Sequence, residues 1–319
     1  MNDYILRKAS RRGVSHERSG RENEDRTINF QTDENIWLGV FDGVSEGGGG
    51  AFAASIAGES MLDILRVEEL DSVLDTGFAI FKRAQESILK MNREHPEYGE
   101  MRTTGAVVCI DRLNHMLYWF SIGDSAIFLF RKHRLLKKLT IEDTDIGVLL
   151  AEGKISRKAA SRATLGHELN RWLGMNAHSD TIESYVRAGS IKLHRKDSIL
   201  LCTDGLYSKL SPKTLTRLLR GYVDPESLIK AAINSGSEDD ISFIHAIPNI
   251  ECSTTLVPLK LVIASMILMF SWGLFIGAAF QCRLKEKVEK SRLVIQEMEN
   301  AKGATDSLTI IKTYSDEGI

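Results

Sequence analysis

The sequence of 319 residues has little cysteine, no excess of either charge and no apolar run at its N-terminus. The four cysteines, at 109, 202, 252 and 282, lack the close pairing of a metal-binding cysteine site. Cys109 and Cys202 lie in the apolar runs AVVCI and LLCTD, so they read as buried free thiols of a reducing compartment. Lysine and arginine number 41 against 43 aspartates and glutamates, a net charge of −2. That balance does not support nucleic acid as a partner, which needs a basic footprint. The opening MNDYILRKASRRG has no apolar core, so no secretory signal is expected and the following domain is expected to stay in the cytoplasm. There is no internal repeat. The glycine run 47–50 is not part of GxxxxGK[ST], so it reads as a hinge before a helix rather than as a nucleotide-binding loop.

A long uncharged run is present near the other end. Leu261 to Phe280 reads LVIASMILMFSWGLFIGAAF. Twenty helical residues extend about 30 Å, the thickness of a hydrocarbon core. The expected organisation is therefore a catalytic-size domain at 1–248, a linker at 249–260, a single transmembrane helix at 261–280 and a charged tail at 281–319. The charges beside the span pull in two directions. Arg283, Lys285, Lys287, Lys290 and Arg292 favour a cytoplasmic tail, whereas a domain without a leader favours the cytoplasm for 1–248. We retain the second expectation, a single-pass membrane protein with its large domain in the cytoplasm.

Residues 1–248 alternate strand-like and helical stretches in blocks, which argues for an α+β fold. The run IWLGVF (36–41) predicts a buried strand ending in Asp-Gly. Helices are predicted over 48–65 and 70–92. Runs at 103–110, 115–122, 126–130 and 135–140 predict an antiparallel meander. Further strands are predicted at 181–188, 198–204 and 241–247, and short helices at 212–220 and 225–235. Residues 141–180 are polar and mixed, and read as a mobile insert. The basic turn 131–134 reads as a solvated hairpin.

Acidic clusters fall at strand ends or in the turns beside them: NED (23–25), FDG (41–43), GDS (123–125), TDG (203–205) and EDDIS (238–242). One Asp-Gly is an ordinary turn. Several carboxylates gathered at one sheet rim repel one another and stay ionised only around a cation. Oxygen donors select Mg²⁺ or Mn²⁺ over zinc.

The order NED…VFDG…TTGA…GDS…CTDG…DDIS resembles the metal-dependent protein phosphatase family, the 2C type of Ser/Thr phosphatase, over nearly all of residues 10–247. SHERSGRENEDR resembles its bacterial branch. The resemblance implies a four-layer αββα sandwich of two antiparallel sheets and flanking helices, with two metal ions at one end. It implies hydrolysis of phosphoserine and phosphothreonine in proteins, the substrates of a Ser/Thr kinase, by a metal-activated water that needs no protein nucleophile. Residue by residue, Asp42 would bridge the two ions. Glu24 and the Gly43 carbonyl would hold one, Asp204 and Asp239 the other. Asp25 would hydrogen-bond water, and Asp124 would help bind a third, weaker ion. The insert 145–180 falls where the family has a variable flap beside the channel.

Three positions depart from the family pattern. An arginine that binds substrate phosphate is expected at position 20, where the chain has glycine; Arg21 is the candidate to replace it, its planar guanidinium suiting phosphate. Val44 follows Asp-Gly where many members have a histidine suited to protonating the leaving group. Asp240 stands where asparagine is usual, which makes it an alternative ligand. His16 matches a family position, although a lone histidine is more often structural. These losses leave two rival readings open: a pseudophosphatase that binds phosphoproteins or a partner without turnover, and a membrane structural protein with an inert domain.

Overall fold

The computed structural model describes residues 4–44, 49–67, 72–132, 134–160, 162–176, 181–220, 224–249, 289–290 and 292. The expected membrane span and nearly all of the linker and tail lie outside them. Every element named below belongs to a compact unit, Met1–Ile250.

The chain opens with β1 (Tyr4–Arg11), α1 (Val14–Ser19), β2 (Asp25–Gln31) and β3 (Asn35–Val44). Two long helices follow, α2 (Gly50–Val67) and α3 (Val73–Glu94). Ser72 caps α3 by accepting the Asp75 N–H, which satisfies a donor the helix cannot. Next come β4 (Arg102–Thr103), β5 (Gly105–Asp111), β6 (Met116–Ile122), β7 (Ala126–Arg131) and β8 (Arg134–Lys138). After α4 (Asp145–Ala151), α5 (Arg157–Ala160) and α6 (Ile182–Tyr185), the chain returns to sheet in β9 (Arg187–Lys192) and β10 (Asp197–Cys202). The unit closes with α7 (Asp204–Tyr207), α8 (Pro212–Leu218), α9 (Pro225–Asn234) and β11 (Ile241–Pro248).

The strands make two antiparallel sheets. One has the order β1-β11-β10-β7-β8; the other runs β2-β3-β5-β6-β9, with β4 paired to β3. The alternation of β3 explains how they stack. Ile36, Leu38 and Val40 pack with Ile127, Leu129, Ile199, Leu201 and Ile244 of the opposite sheet. Trp37 and Phe41 point the other way, into a core shared with α2 and α3. The outer face of the first sheet, including Phe128, Leu200 and Phe243, packs against Leu206, Leu215, Leu228 and Ile229 of α7–α9. Helices, sheet, sheet and helices thus form four layers, as expected. A strand buried on both faces must be apolar at every position, which is why IWLGVF shows no polar alternation.

Two local expectations are corrected. Residues 181–188 do not form one strand: α6 occupies 182–185 and β9 begins at Arg187. Ile182 and Tyr185 are both buried, three residues apart, which is helical rather than strand spacing. The turn 131–134 does join two strands, but Arg131 is not simply solvated. It donates from Nε and Nη2 to the fully buried Asp197 at 2.9 and 2.8 Å. The insert after residue 141 carries α4 and α5; the bridge Thr103–Leu173 ties it to β4, and the bridge Thr144–Leu169 joins two points of the insert itself. Among the described residues no helix is long and apolar enough to cross a membrane.

Candidate active site

The two sheets bring the acidic motifs to one end. Asp25 opens β2 and lies directly across from Asp42 of β3 in the antiparallel register. Asp42 is two residues before the end of β3 at Val44, and its backbone is held by the TTGA segment. Thr104 N–H donates to the Asp42 carbonyl at 2.8 Å, the Thr103 hydroxyl donates to the same oxygen at 2.8 Å, and Asp42 N–H donates to Thr104 Oγ1 at 3.3 Å. Thr104 Oγ1 and Ser125 Oγ are 2.8 Å apart, tying this strand to the GDS turn that carries Asp124. Asp204 is not at the end of β10, as the sequence suggested, but at the first position of α7, with Thr203 before it. Asp239 lies in the turn ahead of β11.

The electrostatics tie these positions together. Burial raises the Asp42 carboxyl well above the usual range, and Asp25, Asp204, Asp239 and Asp124 add repulsion. Burial likewise raises Asp204, followed by the charges of Asp124, Asp239 and Asp25. Asp124 is pushed up to about 6, chiefly by burial and next by Glu142, with Lys138 opposing. Asp25 is pushed up to about 8 by burial, with hydrogen bonds from Ser242 and Thr203 opposing. Asp239 is also raised by burial. Among the described residues, no group of three His, Cys, Asp or Glu side chains forms a ready-made metal cage. The acids instead stand around a common rim, each repelling several of the others.

Glu24 completes the other side. It is buried, and Arg21 Nη2 donates to its Oε1 at 2.7 Å. A methyl group at Gly50 would stand 2.5 Å from Glu24 Oε2 and 2.8 Å from the Gly43 carbonyl oxygen. These two oxygens therefore converge on one small space, kept open because α2 begins with glycine. Gly20 also has a physical reason. It ends α1 in the left-handed conformation, φ 72°, which glycine adopts without the steric cost an arginine would meet. The arginine appears one residue later, at the turn's exit.

Asp240 does not join the rim. Its Oδ1 accepts the Gly13 N–H at 2.6 Å, and its Oδ2 accepts the Glu24 N–H at 2.6 Å and pairs with His16 Nδ1 at 2.9 Å. Both oxygens are committed, which leaves Asp239 as the acid of this pair that faces the others. Val44 pairs with Arg102 of β4.

Sequence reasoning missed Thr203, Thr104 and Tyr207. Thr203 Oγ1 donates to Asp25 Oδ2, and Tyr207 Oη donates to the Asp124 carbonyl at 2.7 Å. The threonines sit inside the very motifs TTGA and CTDG, so the signal was present without an assigned task.

Whether these residues suit divalent cations can be judged from the groups themselves. Asp25 Oδ1 is buried with no hydrogen-bond partner. The Gly50 cradle presents two oxygens to one point. The remaining donors are carboxylates that resist ionising together without a counter-charge. An all-oxygen set of this kind fits Mg²⁺ or Mn²⁺.

Fold and site together define a two-sheet hydrolase scaffold with an acidic rim at one end. Residues 12–227 match the family model described as Protein phosphatase 2C, and the chain belongs to that family of metal-dependent Ser/Thr protein phosphatases. No curated protein matches the chain significantly. Among solved structures, the Mycobacterium tuberculosis serine/threonine phosphatase PstP/Ppp is similar at TM-score 0.65 and 22% identity, over 77% of this chain and 98% of that one. The Staphylococcus aureus serine/threonine phosphatase Stp1 is similar at TM-score 0.67 and 18% identity, over 76% and 94%. The catalytic domain of PstP in complex with two manganese ions is similar at TM-score 0.61 and 23% identity, over 76% and 97%.

Proposed function

We propose that the chain removes phosphate from phosphoserine and phosphothreonine in proteins phosphorylated by a Ser/Thr kinase, at the rim formed by Asp42, Asp204, Asp239, Asp124, Glu24 and Gly43. The observation that carries this reading is the mutual repulsion of Asp42, Asp204, Asp239 and Asp124 beside the Glu24–Gly43 cradle. The donors suit Mn²⁺ or Mg²⁺: Glu24 and the Gly43 carbonyl would hold one ion, Asp204 and Asp239 another, Asp42 would serve both, and Asp124 would serve a third. When bound, such cations make water nucleophilic at neutral pH and neutralise charge on the phosphoryl oxygens. The chain's own residues do the rest. Asp25 Oδ1 holds the proton of the attacking water. Arg21 offers its guanidinium to the substrate phosphate. Valine at position 44 cannot protonate the leaving oxygen, so that proton comes from water or another residue. The retained acids speak against a pseudophosphatase.

The uncharged run 261–280 supports a single-pass membrane tether, and we propose that the phosphatase domain lies on the cytoplasmic side. Carbonate extraction and protease protection of the expressed chain test this: release by carbonate removes the tether, and digestion of the tail alone in sealed inside-out vesicles reverses the orientation.

The activity is tested with a phosphothreonine peptide and Mn²⁺. Phosphate release that depends on Mn²⁺ and is lost in Asp42→Asn is the expected result. A wild-type rate no higher than that of Asp42→Asn would sink the enzyme reading.

A further inference from the structure

Asp240 is 3% exposed, yet three donors from two separated segments meet on its carboxylate. Gly13 N–H reaches one oxygen at 2.6 Å; Glu24 N–H and His16 Nδ1 reach the other at 2.6 and 2.9 Å. The acceptor Oδ2 selects the imidazole tautomer that carries its proton on Nδ1. The same residue's backbone N–H donates to Asp239 Oδ1 at 2.8 Å. The Arg21 N–H in turn donates to the His16 carbonyl at 2.9 Å.

We propose that Asp240 and His16 form a positioning clasp that sets Glu24 and Arg21, on the α1–β2 segment, in register with Asp239 at the start of β11. The clasp rests on the phosphatase reading above, because its purpose is to hold groups that reading assigns. It requires a carboxylate. An asparagine has one acceptor and one NH₂ group. In either orientation its NH₂ faces a backbone N–H, that of Gly13 or that of Glu24, where an oxygen now sits. Two donors cannot share that contact, so one segment must move away. The asparagine usual in the family therefore does not fit this chain, and His16 is the added donor that matches the second oxygen. His16 acts here through its hydrogen bond and not as an acid or base.

The test uses the full chain in detergent, with Mn²⁺ affinity read by calorimetry alongside KM and kcat on a phosphothreonine peptide. Asp240→Asn is expected to weaken Mn²⁺ binding at least tenfold and to raise KM more than it lowers kcat. His16→Leu is expected to weaken Mn²⁺ binding three- to tenfold. His16→Asn, whose side-chain NH₂ can stand near the Nδ1 position, is expected to recover affinity to within twofold of wild type and to keep the wild-type pH profile of kcat. Asp240→Asn binding Mn²⁺ within twofold of wild type overturns the proposal. So does His16→Asn as impaired as His16→Leu. If Asp240→Asn fails to fold by circular dichroism, the two His16 variants decide alone. Wild-type chain that binds no Mn²⁺ overturns the phosphatase reading itself; wild type that binds it alongside an unaffected Asp240→Asn overturns only the clasp.

Discussion

Thr203 Oγ1 donates to Asp25 Oδ2 across 3.0 Å, while the other oxygen of the same buried carboxylate has no hydrogen-bond partner. One half of Asp25 is therefore anchored and the other half is presented to the rim. The Thr203 hydroxyl also accepts the Ser242 N–H at 3.0 Å, so it sits between β11 and the acid. Thr203→Val keeps the shape and removes both bonds. Leaving buried polar groups unmatched costs about 1–3 kcal/mol. The expected result is a lower denaturant midpoint with an unchanged slope, together with weaker Mn²⁺ binding. Unchanged stability would mean that Asp25 is not anchored through Thr203.

The raised acids link stability to pH. Folded Asp25 titrates near 8 and Asp124 near 6, both above their ordinary values, as are Asp42, Asp204 and Asp239. The folded protein then holds more protons than the unfolded chain between the ordinary carboxylate range and about pH 8. Stability of the metal-free protein falls as pH rises through that window. Added Mn²⁺ binds the ionised form, so its affinity rises with pH and binding releases protons. The expected observations are a metal-free melting temperature that drops from pH 5 to pH 8 and an Mn²⁺-induced rise that is larger at pH 8. Calorimetry in buffers of different ionisation enthalpy counts the protons. A melting temperature that climbs with pH without metal would contradict the shifts.

Gly50 allows a test of the cradle with one methyl group. In Gly50→Ala the new Cβ meets the Glu24 carboxylate and the Gly43 carbonyl within 3 Å. These groups must separate, whereas the rest of α2 keeps its packing through Ala53, Ala54, Ala57 and Met61. The expected outcome is a loss of at least tenfold in Mn²⁺ affinity with most of the helix signal retained. Wild-type affinity would show that the two oxygens do not share a ligand.

The layered fold was legible because its signals are local. IWLGVF, AVVCI and AIFLF are apolar without interruption, the pattern of strands covered on both faces. The five acidic motifs were legible for the same reason, each being a short string at a strand end or in a turn beside one. Other features were not. β1 is polar at half of its positions and β2 at most of them, each lying at the edge of its sheet, so neither showed a strong period. β9 was misplaced because α6 precedes it with four residues, too short to set a helical rhythm. The task of Asp240 depends on donors 216 to 227 positions away, Glu24 and Gly13, which no spacing rule reaches. The orphaned oxygen of Asp25 is likewise a property of packing, visible only once Thr203 is known to hold its neighbour.

The proposed capture of the substrate phosphate turns on Arg21. Its Nη2 donates to Glu24 Oε1 at 2.7 Å, and Glu24 also shares the cradle with the Gly43 carbonyl. The arginine is thus set by a group assigned to a metal ion, close to where a phosphoryl group would meet that ion. A guanidinium can keep this carboxylate contact and still offer further N–H donors to phosphate, which an ammonium on a flexible stem does less well. Arg21→Lys should therefore raise KM for a phosphothreonine peptide about tenfold, with kcat and Mn²⁺ affinity changed much less. Arg21→Ala should raise KM further and also loosen Mn²⁺ binding, because Glu24 loses the 2.7 Å hydrogen bond from Arg21. The two variants separate phosphate capture from Glu24 placement. If both left KM unchanged while weakening Mn²⁺ to the same extent, Arg21 would serve Glu24 alone, and the substrate phosphate would be held elsewhere on the rim.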